Sequence, residues 1–241
     1  MILDDTYCAY INLDSRPDRN EHIIKEITRV GIPVNRHKAF LPEQFEGAKY
    51  EIMRRRTPGA IGCYMSQVGI MLKAEQIYQH SLVMEDDLIF CDDFQERLII
   101  IEEFLKTTNW DVFWFGGTYH RTPTWHSSPH PQDLKQCKCN LNRDYETTYH
   151  PQIVRTYGAF STHCYLVNRS SIANVLESLD SVIGESYGID HAFIRLQPQL
   201  KTFAFDPGCV KQMDGQSNIG NGLTIFSGFE KLGSHWFKEI L

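Results

Sequence analysis

Three consecutive carboxylates, Glu85, Asp86 and Asp87, interrupt an apolar stretch that reads Ser-Leu-Val-Met-Glu-Asp-Asp-Leu-Ile-Phe from Ser81 to Phe90. Adjacent carboxylates repel one another and are costly to desolvate, so packing them together calls for positive charge nearby. A divalent cation carrying a phosphorylated substrate meets that need, because hard cations take several oxygen ligands and leave positions for phosphate. The competing reading is a solvated turn. The run Leu82, Val83, Met84 without alternation fits a strand buried on both faces, and pattern alone leaves a buried helix segment open. In the strand reading the acids stand at its carboxyl end, where open α/β sheets place their ligands.

Other side chains could take part. Arg16 and Arg19 lie in a tight turn and first helical turn after the first apolar run. Such a turn can hold a phosphate or a nucleotide, or can simply expose two solvated arginines. Arg54, Arg55 and Arg56 form a basic run that is either a solvated face or a phosphate contact. Asp190 stands near the start of a predicted helix, where the dipole is expected to favour its charged form; the bland alternative is a capping carboxylate. His120, His126, His130, Cys137, Cys139 and His150 suggest zinc, but a lone Cys-x-Cys lacks the paired spacing of ordinary zinc modules. A lid or acceptor-recognition loop with Trp125 as a sugar-stacking side chain is the expectation there.

The elements that must position these groups follow from periodicity. Residues 7–13, aromatic and branched, read as a first strand, and Ser15-Arg16-Pro17-Asp18 as a capped helix start, with Ile23, Ile24, Ile27 and Val30 at helical spacing. Residues 34–40 form a short second strand. Thr57-Pro58 caps a long helix carrying Ile61, Met65, Val68, Leu72 and Ile77, and Gly59 and Gly62 in its first turns point to close approach of a strand or ligand. Asp92 and Asp93 cap a helix with Phe94, Leu98, Ile101, Phe104 and Leu105, and residues 111–117 are a strand ending in glycines. Periodicity is absent over 118–152, a length that is usually functional inside a compact domain. Later come a strand at 163–167, a helix at 169–179 capped by Asn168, a helix at 188–196 and a strand at 201–205. The alternation predicts an α/β chain with a largely parallel sheet. With no repeat or dividing linker, residues 1–241 are expected to form one domain with 118–152 as a long acceptor-side loop.

A net charge of −6 argues against non-specific nucleic-acid binding, which needs a basic footprint. No apolar run approaches 18 residues, and the N-terminus does not read as a signal peptide, so no membrane span and a cytoplasmic location are expected. The seven cysteines, odd in number and set among apolar neighbours, read as reduced thiols rather than a disulfide framework.

Several of these pieces resemble glycosyltransferase family 25, which includes bacterial lipo-oligosaccharide and procollagen galactosyltransferases. Ile11-Asn-Leu-Asp-Ser-Arg-Pro-Asp-Arg19 is similar to that family's opening strand and turn, and Val83-Met-Glu-Asp-Asp87 to its Leu-Glu-Asp-Asp metal motif. Gly59-Ala-Ile-Gly-Cys-Tyr-Met-Ser-Gln67 resembles its Gly-Glu-Ile-Gly-Cys-x-x-Ser-His segment, with Ala60 for glutamate and Gln67 for histidine. Residues 158–168, Gly188-Ile-Asp190 and residues 207–218 follow in the family's order, while the segment from Thr118 matches no part of it.

The resemblance implies a GT-A fold, a UDP-sugar donor and usually manganese, with magnesium as the substitute. It makes Asp87, Glu85 and Gln212 the expected metal contacts, with His235 as an outsider. It puts Asn12, Leu13, Arg16, Arg19, Ser66, Gln67, Glu85 and Asp86 near nucleotide or donor sugar. An inverting transfer of galactose, or glucose, to a glycan or protein hydroxyl is implied, as in lipopolysaccharide biosynthesis. The general base is expected to be Asp190, with Asp214 second; peripheral membrane contact is compatible with such acceptors. Two other classes compete. A catalytically silent member of the fold would bind glycans or partners, a reading kept alive by Ala60 and Gln67. A nucleotidyltransferase should carry a glycine-rich, lysine-containing loop, and residues 12–19 hold neither residue type.

Overall fold

The computed structural model describes residues 1–120, 150–156, 158–216, 219 and 223–224. In chain order the elements are β1 (Thr6–Asn12), α1 (Pro17–Val30), β2 (Asn35–Lys38), α2 (Glu51–Arg56), α3 (Gly59–Gln76), β3 (His80–Glu85), β4 (Leu88–Phe90) and α4 (Phe94–Thr107). There follow β5 (Val112–Trp114), β6 (Thr118–His120), β7 (Ile153–Arg155), β8 (Gly158–Phe160), β9 (Cys164–Val167), α5 (Ile172–Val182) and α6 (Ile189–Leu196). The described chain closes with β10 (Thr202–Phe205), β11 (Val210–Gln212), β12 (Gly215–Gln216) and β13 (Leu223–Thr224).

Seven strands form the main sheet in the order β2-β1-β3-β9-β5-β10-β7. β2, β1, β3, β5 and β10 run one way, whereas β9 and β7 are antiparallel to their neighbours. This is the expected α/β class with a largely parallel sheet. Successive side chains of a strand point to opposite faces. Accordingly Cys8, Tyr10, Leu82 and Met84 pack into one core with Ile23, Ile27 and Phe94, and Ala9, Ile11 and Val83 into a second with Ile70, Met71 and Phe193. Burial on both faces explains why these strands read as unbroken apolar runs. Trp114, Tyr165 and Phe193 meet edge-on or tilted, with ring centroids 4.9 to 5.3 Å apart, at the centre of the second core.

Several helix starts differ from expectation. α1 is capped at Arg16 and α3 at Pro58, neither with a side-chain cap bond, so Ser15 and Thr57 do not cap. Asp93 holds the N-cap position of α4, but its carboxylate turns to Arg97 at 2.8 Å. α5 begins at Ile172 with Ser171 before it, because Asn168 Oδ1 accepts from Ser170 and so closes a turn rather than a helix. The polar segment before Arg56 contains the unforeseen α2. In α3 the buried apolar face is Ile61, Ile70, Met71 and Ala74; Leu72 and Ile77 are exposed. Cys8, Cys63, Cys91, Cys164 and Cys209 are free thiols, as expected, while Cys137 and Cys139 lie outside the described residues. So do His126, His130, Trp125 and most of the expected 118–152 loop.

Gly62 meets the expectation of close approach made for Gly59 and Gly62, and Gly116 adds a second such place. A Cβ on Gly62 would stand 2.4 Å from the Phe40 carbonyl oxygen, so the glycine lets the segment after β2 lie on α3. At Gly116, past the end of β5, a Cβ would stand 2.0 Å from the Val210 carbonyl oxygen, which is how β11 reaches this edge of the sheet. Gly62→Ala is expected to lower the melting temperature: overpacking against backbone costs about 1–3 kcal/mol, against roughly 1 kcal/mol gained in helix propensity. A melting temperature at or above that of the unsubstituted protein would contradict the packing.

Candidate active site

β1 and β3 are parallel neighbours with Ile11 opposite Glu85, so the carboxyl end of β1 presents Asn12 beside the carboxyl end of β3. The chain turns at Asp86 and Asp87 and returns as β4. Those two residues are only 7% and 5% exposed, which rules out a solvated turn. β4 pairs with β11, Leu88 opposite Gln212, and this ribbon brings the Gln212 amide to the acids.

Donors from several elements hold the cluster. Asn12 Nδ2 donates to Asp86 Oδ2 at 2.7 Å. Arg19 Nη1 lies 3.1 Å from Asp86 Oδ1 and 3.0 Å from Asp87 Oδ2, supplying the nearby positive charge that adjacent carboxylates call for. Behind Asn12, Arg36 donates through Nε and Nη2 to Asn12 Oδ1 at 3.0 and 2.8 Å. A guanidinium can only donate, so Asn12 must turn its oxygen to Arg36 and its NH2 to Asp86. Gln67 Nε2 is 3.4 Å from Glu85 Oε1, and Gln212 Nε2 is 3.0 Å from Glu85 Oε2 and 3.4 Å from Asp87 Oδ1.

Asn12, Arg19, Glu85, Asp86, Asp87 and Gln212 line one cleft of about 600 Å³, which also takes in Leu13, Ala60, Cys63, Thr162, Tyr187, Gly188 and Asp190. Its described lining carries four carboxylates, Glu85, Asp86, Asp87 and Asp190, and Arg19 as its one cation. Burial, then repulsion from Asp87, Asp86 and Asp190, pushes the Glu85 carboxyl well above its ordinary range. Burial also raises Asp86 and Asp87, with Arg19 pulling both back. Asp190 accepts the His191 backbone N–H on Oδ1 at 2.8 Å. Its carboxyl is nevertheless raised above the ordinary value, burial being the largest cause and the backbone donors at the helix start opposing it.

The structure thus gathers Asn12, Leu13, Arg19, Glu85, Asp86, Asp87, Asp190 and Gln212 on one wall system. Arg16 pairs with Asp18 at 2.7 Å and does not line the cleft. Ser66 Oγ donates to the Gly62 carbonyl at 2.6 Å and accepts from the Phe40 N–H, a bond within the scaffold. Gln67 is buried behind Glu85 rather than in the cleft wall, and Asp214 is exposed outside it. Of the basic run, Arg54 donates to the Phe45 carbonyl and Arg55 to Glu51, and neither reaches the cleft. His235 lies outside the described residues. Sequence reasoning missed Arg36, Tyr187 and Leu41. Arg36 sits in a short polar strand with no apolar period to orient it; Tyr187 before Gly188-Ile-Asp190 was the one legible signal, an aromatic beside the candidate base.

The donors suit a hard cation: carboxylate and amide oxygens, with mutual repulsion to relieve. Among the described residues no three His, Cys, Asp or Glu side chains converge as a ready-made metal site. The fit therefore depends on Glu85 and Asp87 with Gln212 bridging them, the amide turning its oxygen inward.

A buried histidine supports this edge. His163 is held at about 4, burial being the main cause, against 6.5 when free. Between those values the unfolded chain binds a proton that the folded chain does not, so His163 costs stability as pH falls from 6.5 toward 4. The raised carboxyls act with the opposite sign, so the comparison must be with a variant. His163→Gln is expected to show a shallower fall in melting temperature between pH 6.5 and 4.5 than the parent; parallel profiles would contradict it.

A largely parallel α/β sheet whose carboxyl edge gathers acids in one cleft has the GT-A type of architecture that the resemblance implies. The chain belongs to glycosyltransferase family 25: that family's model, described as "Glycosyltransferase family 25 (LPS biosynthesis protein)", matches residues 8–193. Over 122 residues it is 27% identical to a "Glycosyltransferase 25 family member" of Anopheles gambiae, covering 44% of this chain and 21% of that protein. A protein of the same description from Aedes aegypti matches equally, over 20% of its length. The match thus spans about a fifth of each relative. A solved glycosyltransferase involved in glycosylation of the major capsid of PBCV-1 is 11% identical at a TM-score of 0.44, covering 86% of this chain and 95% of that one. Mouse xyloside xylosyltransferase 1 is 10% identical at a TM-score of 0.42, covering 80% and 82%.

Proposed function

We propose that the chain transfers a hexose, galactose before glucose, from a UDP-sugar to a hydroxyl of a glycan or protein acceptor, with inversion and with a divalent cation, manganese or magnesium. The observation that carries this reading is the charge imbalance of the cleft, four carboxylates against Arg19 at the carboxyl edge of the sheet. Nucleotide diphosphate alone would add negative charge; nucleotide with a cation would relieve it.

Asp87 and Glu85 would hold the cation with Gln212, which when bound neutralises charge on the departing diphosphate. Asn12, oriented by Arg36, and Arg19 hold Asp86 and the neighbouring turn in place. Asp190 accepts the proton of the attacking hydroxyl; a carboxylate raised by burial is a stronger base than one in water. Leu13 past the end of β1, with the exposed Leu41 and Tyr187, adds apolar surface to the cleft lining. No helix among the described residues is long and apolar enough to cross a membrane. The reading predicts that UDP raises the melting temperature with manganese present and much less without it. No rise under either condition would favour a catalytically silent glycan- or partner-binding protein.

A further inference from the structure

Each oxygen of Glu85 takes one amide N–H, Oε1 from Gln67 and Oε2 from Gln212. The two amides differ in setting: Gln212 lines the cleft, whereas Gln67 is fully buried on α3 behind the carboxylate. An amide can be turned either way, and only the NH2 end can donate to a carboxylate. What selects the orientation of Gln67 is Tyr165, whose hydroxyl donates to Gln67 Oε1 at 2.8 Å. Tyr165 is itself fully buried on β9, opposite Val83 of β3, and its ring is clamped against Trp114 and Phe193. Thr162 Oγ1, 3.3 Å from Gln67 Nε2, accepts from the same NH2 group. A rigid phenol thus fixes an amide, and the amide fixes the carboxylate oxygen that faces away from Gln212.

We propose that Tyr165 and Gln67 are positioning residues that hold Glu85 in its cation-binding orientation. The proposal rests on the cation reading given above. Without the phenol, Gln67 loses the contact that selects its orientation, and an amide turned over presents its oxygen to Glu85, which repels a carboxylate and removes the donor on Oε1. Position 67 therefore requires a side chain that accepts from a phenol and donates to a carboxylate at once. Neutral imidazole has one nitrogen of each kind and meets the same requirement; leucine meets neither.

The test is manganese binding by the full chain with UDP present, read from the electron paramagnetic resonance of free Mn²⁺ with no turnover involved. Tyr165→Phe keeps the ring and its packing, and its Mn²⁺ affinity is expected to fall about 10-fold, with Gln67→Leu falling about 10- to 100-fold, the usual effect of losing a residue behind a metal ligand. Gln67→His should bind within about threefold of the parent, because the donor and acceptor are both restored. Tyr64→Phe is the control: Tyr64 is as deeply buried on α3 and donates at 2.8 Å to the Leu179 carbonyl, with no link to the acids, so its affinity should not change. Equal affinities for Tyr165→Phe and the parent, or equal losses in Tyr165→Phe and Tyr64→Phe, would overturn the proposal. A parent that binds no Mn²⁺ with UDP overturns the underlying cation reading and this proposal with it, and that outcome is read from the parent alone.

Discussion

Asp87→Ala is expected to reduce sugar transfer by on the order of 10³ or more, since a cation contact worth several kcal/mol in the transition state is lost. Little stability should go with it. Asp87 is buried beside Glu85 and Asp86, and its own carboxyl is raised by burial, so it is held at a cost rather than for the fold. Arg19 keeps Asp86 as a partner at 3.1 Å after the substitution, so no buried charge is stranded. The melting temperature should therefore stay near that of the parent or rise slightly while transfer disappears. Retained activity would remove Asp87 from the cation site. A protein that unfolds would show instead that the Asp87–Arg19 pair is structural.

The second large effect is expected at Asp190. Asp190→Asn should lower kcat by about 10²–10⁴, the range for loss of a positioned general base. UDP binding should persist, because asparagine Oδ1 can still accept the His191 N–H and the start of α6 keeps its bond. The pH dependence separates base from scaffold. A base must be ionised, and burial raises the pKa of Asp190 above the ordinary carboxylate value, so kcat in the parent falls on acidification through that raised value. The residual rate of Asp190→Asn should lack that acid limb. Unchanged turnover, or an acid limb that survives the substitution, would exclude Asp190 from the role.

Much of the scaffold was legible because its strands are buried on both faces. Leu82, Val83 and Met84 could be read as a buried strand from composition, and the acids after them as its carboxyl end. Helix interiors such as Phe94, Leu98, Ile101, Phe104 and Leu105 follow their period and are buried as expected. Helix ends were less legible. Ser15, Thr57 and Asn168 have the right chemistry for caps, but the N-cap falls one residue later at Arg16 and Pro58 and three later at Ser171. Within the site, the acids, Asn12, Arg19 and Gln212 carry local motif signals. Arg36 and Tyr165 do not, because each acts by touching an amide that is distant in sequence, and only the strand register of β2 on β1 and β9 on β3 brings them there. The two departures from the family pattern also separate in space: Ala60 lines the cleft, whereas Gln67 stands behind Glu85.

The most direct measurement is nucleotide release from a panel of nucleotide sugars by the purified chain, with manganese and then with a chelator added. The account predicts UDP release from one UDP-hexose, UDP-galactose first, abolished by the chelator and by Asp87→Ala. Release that survives the chelator would contradict the cation's role. Silence across the panel, together with no UDP-dependent rise in melting temperature, would contradict the transferase reading itself.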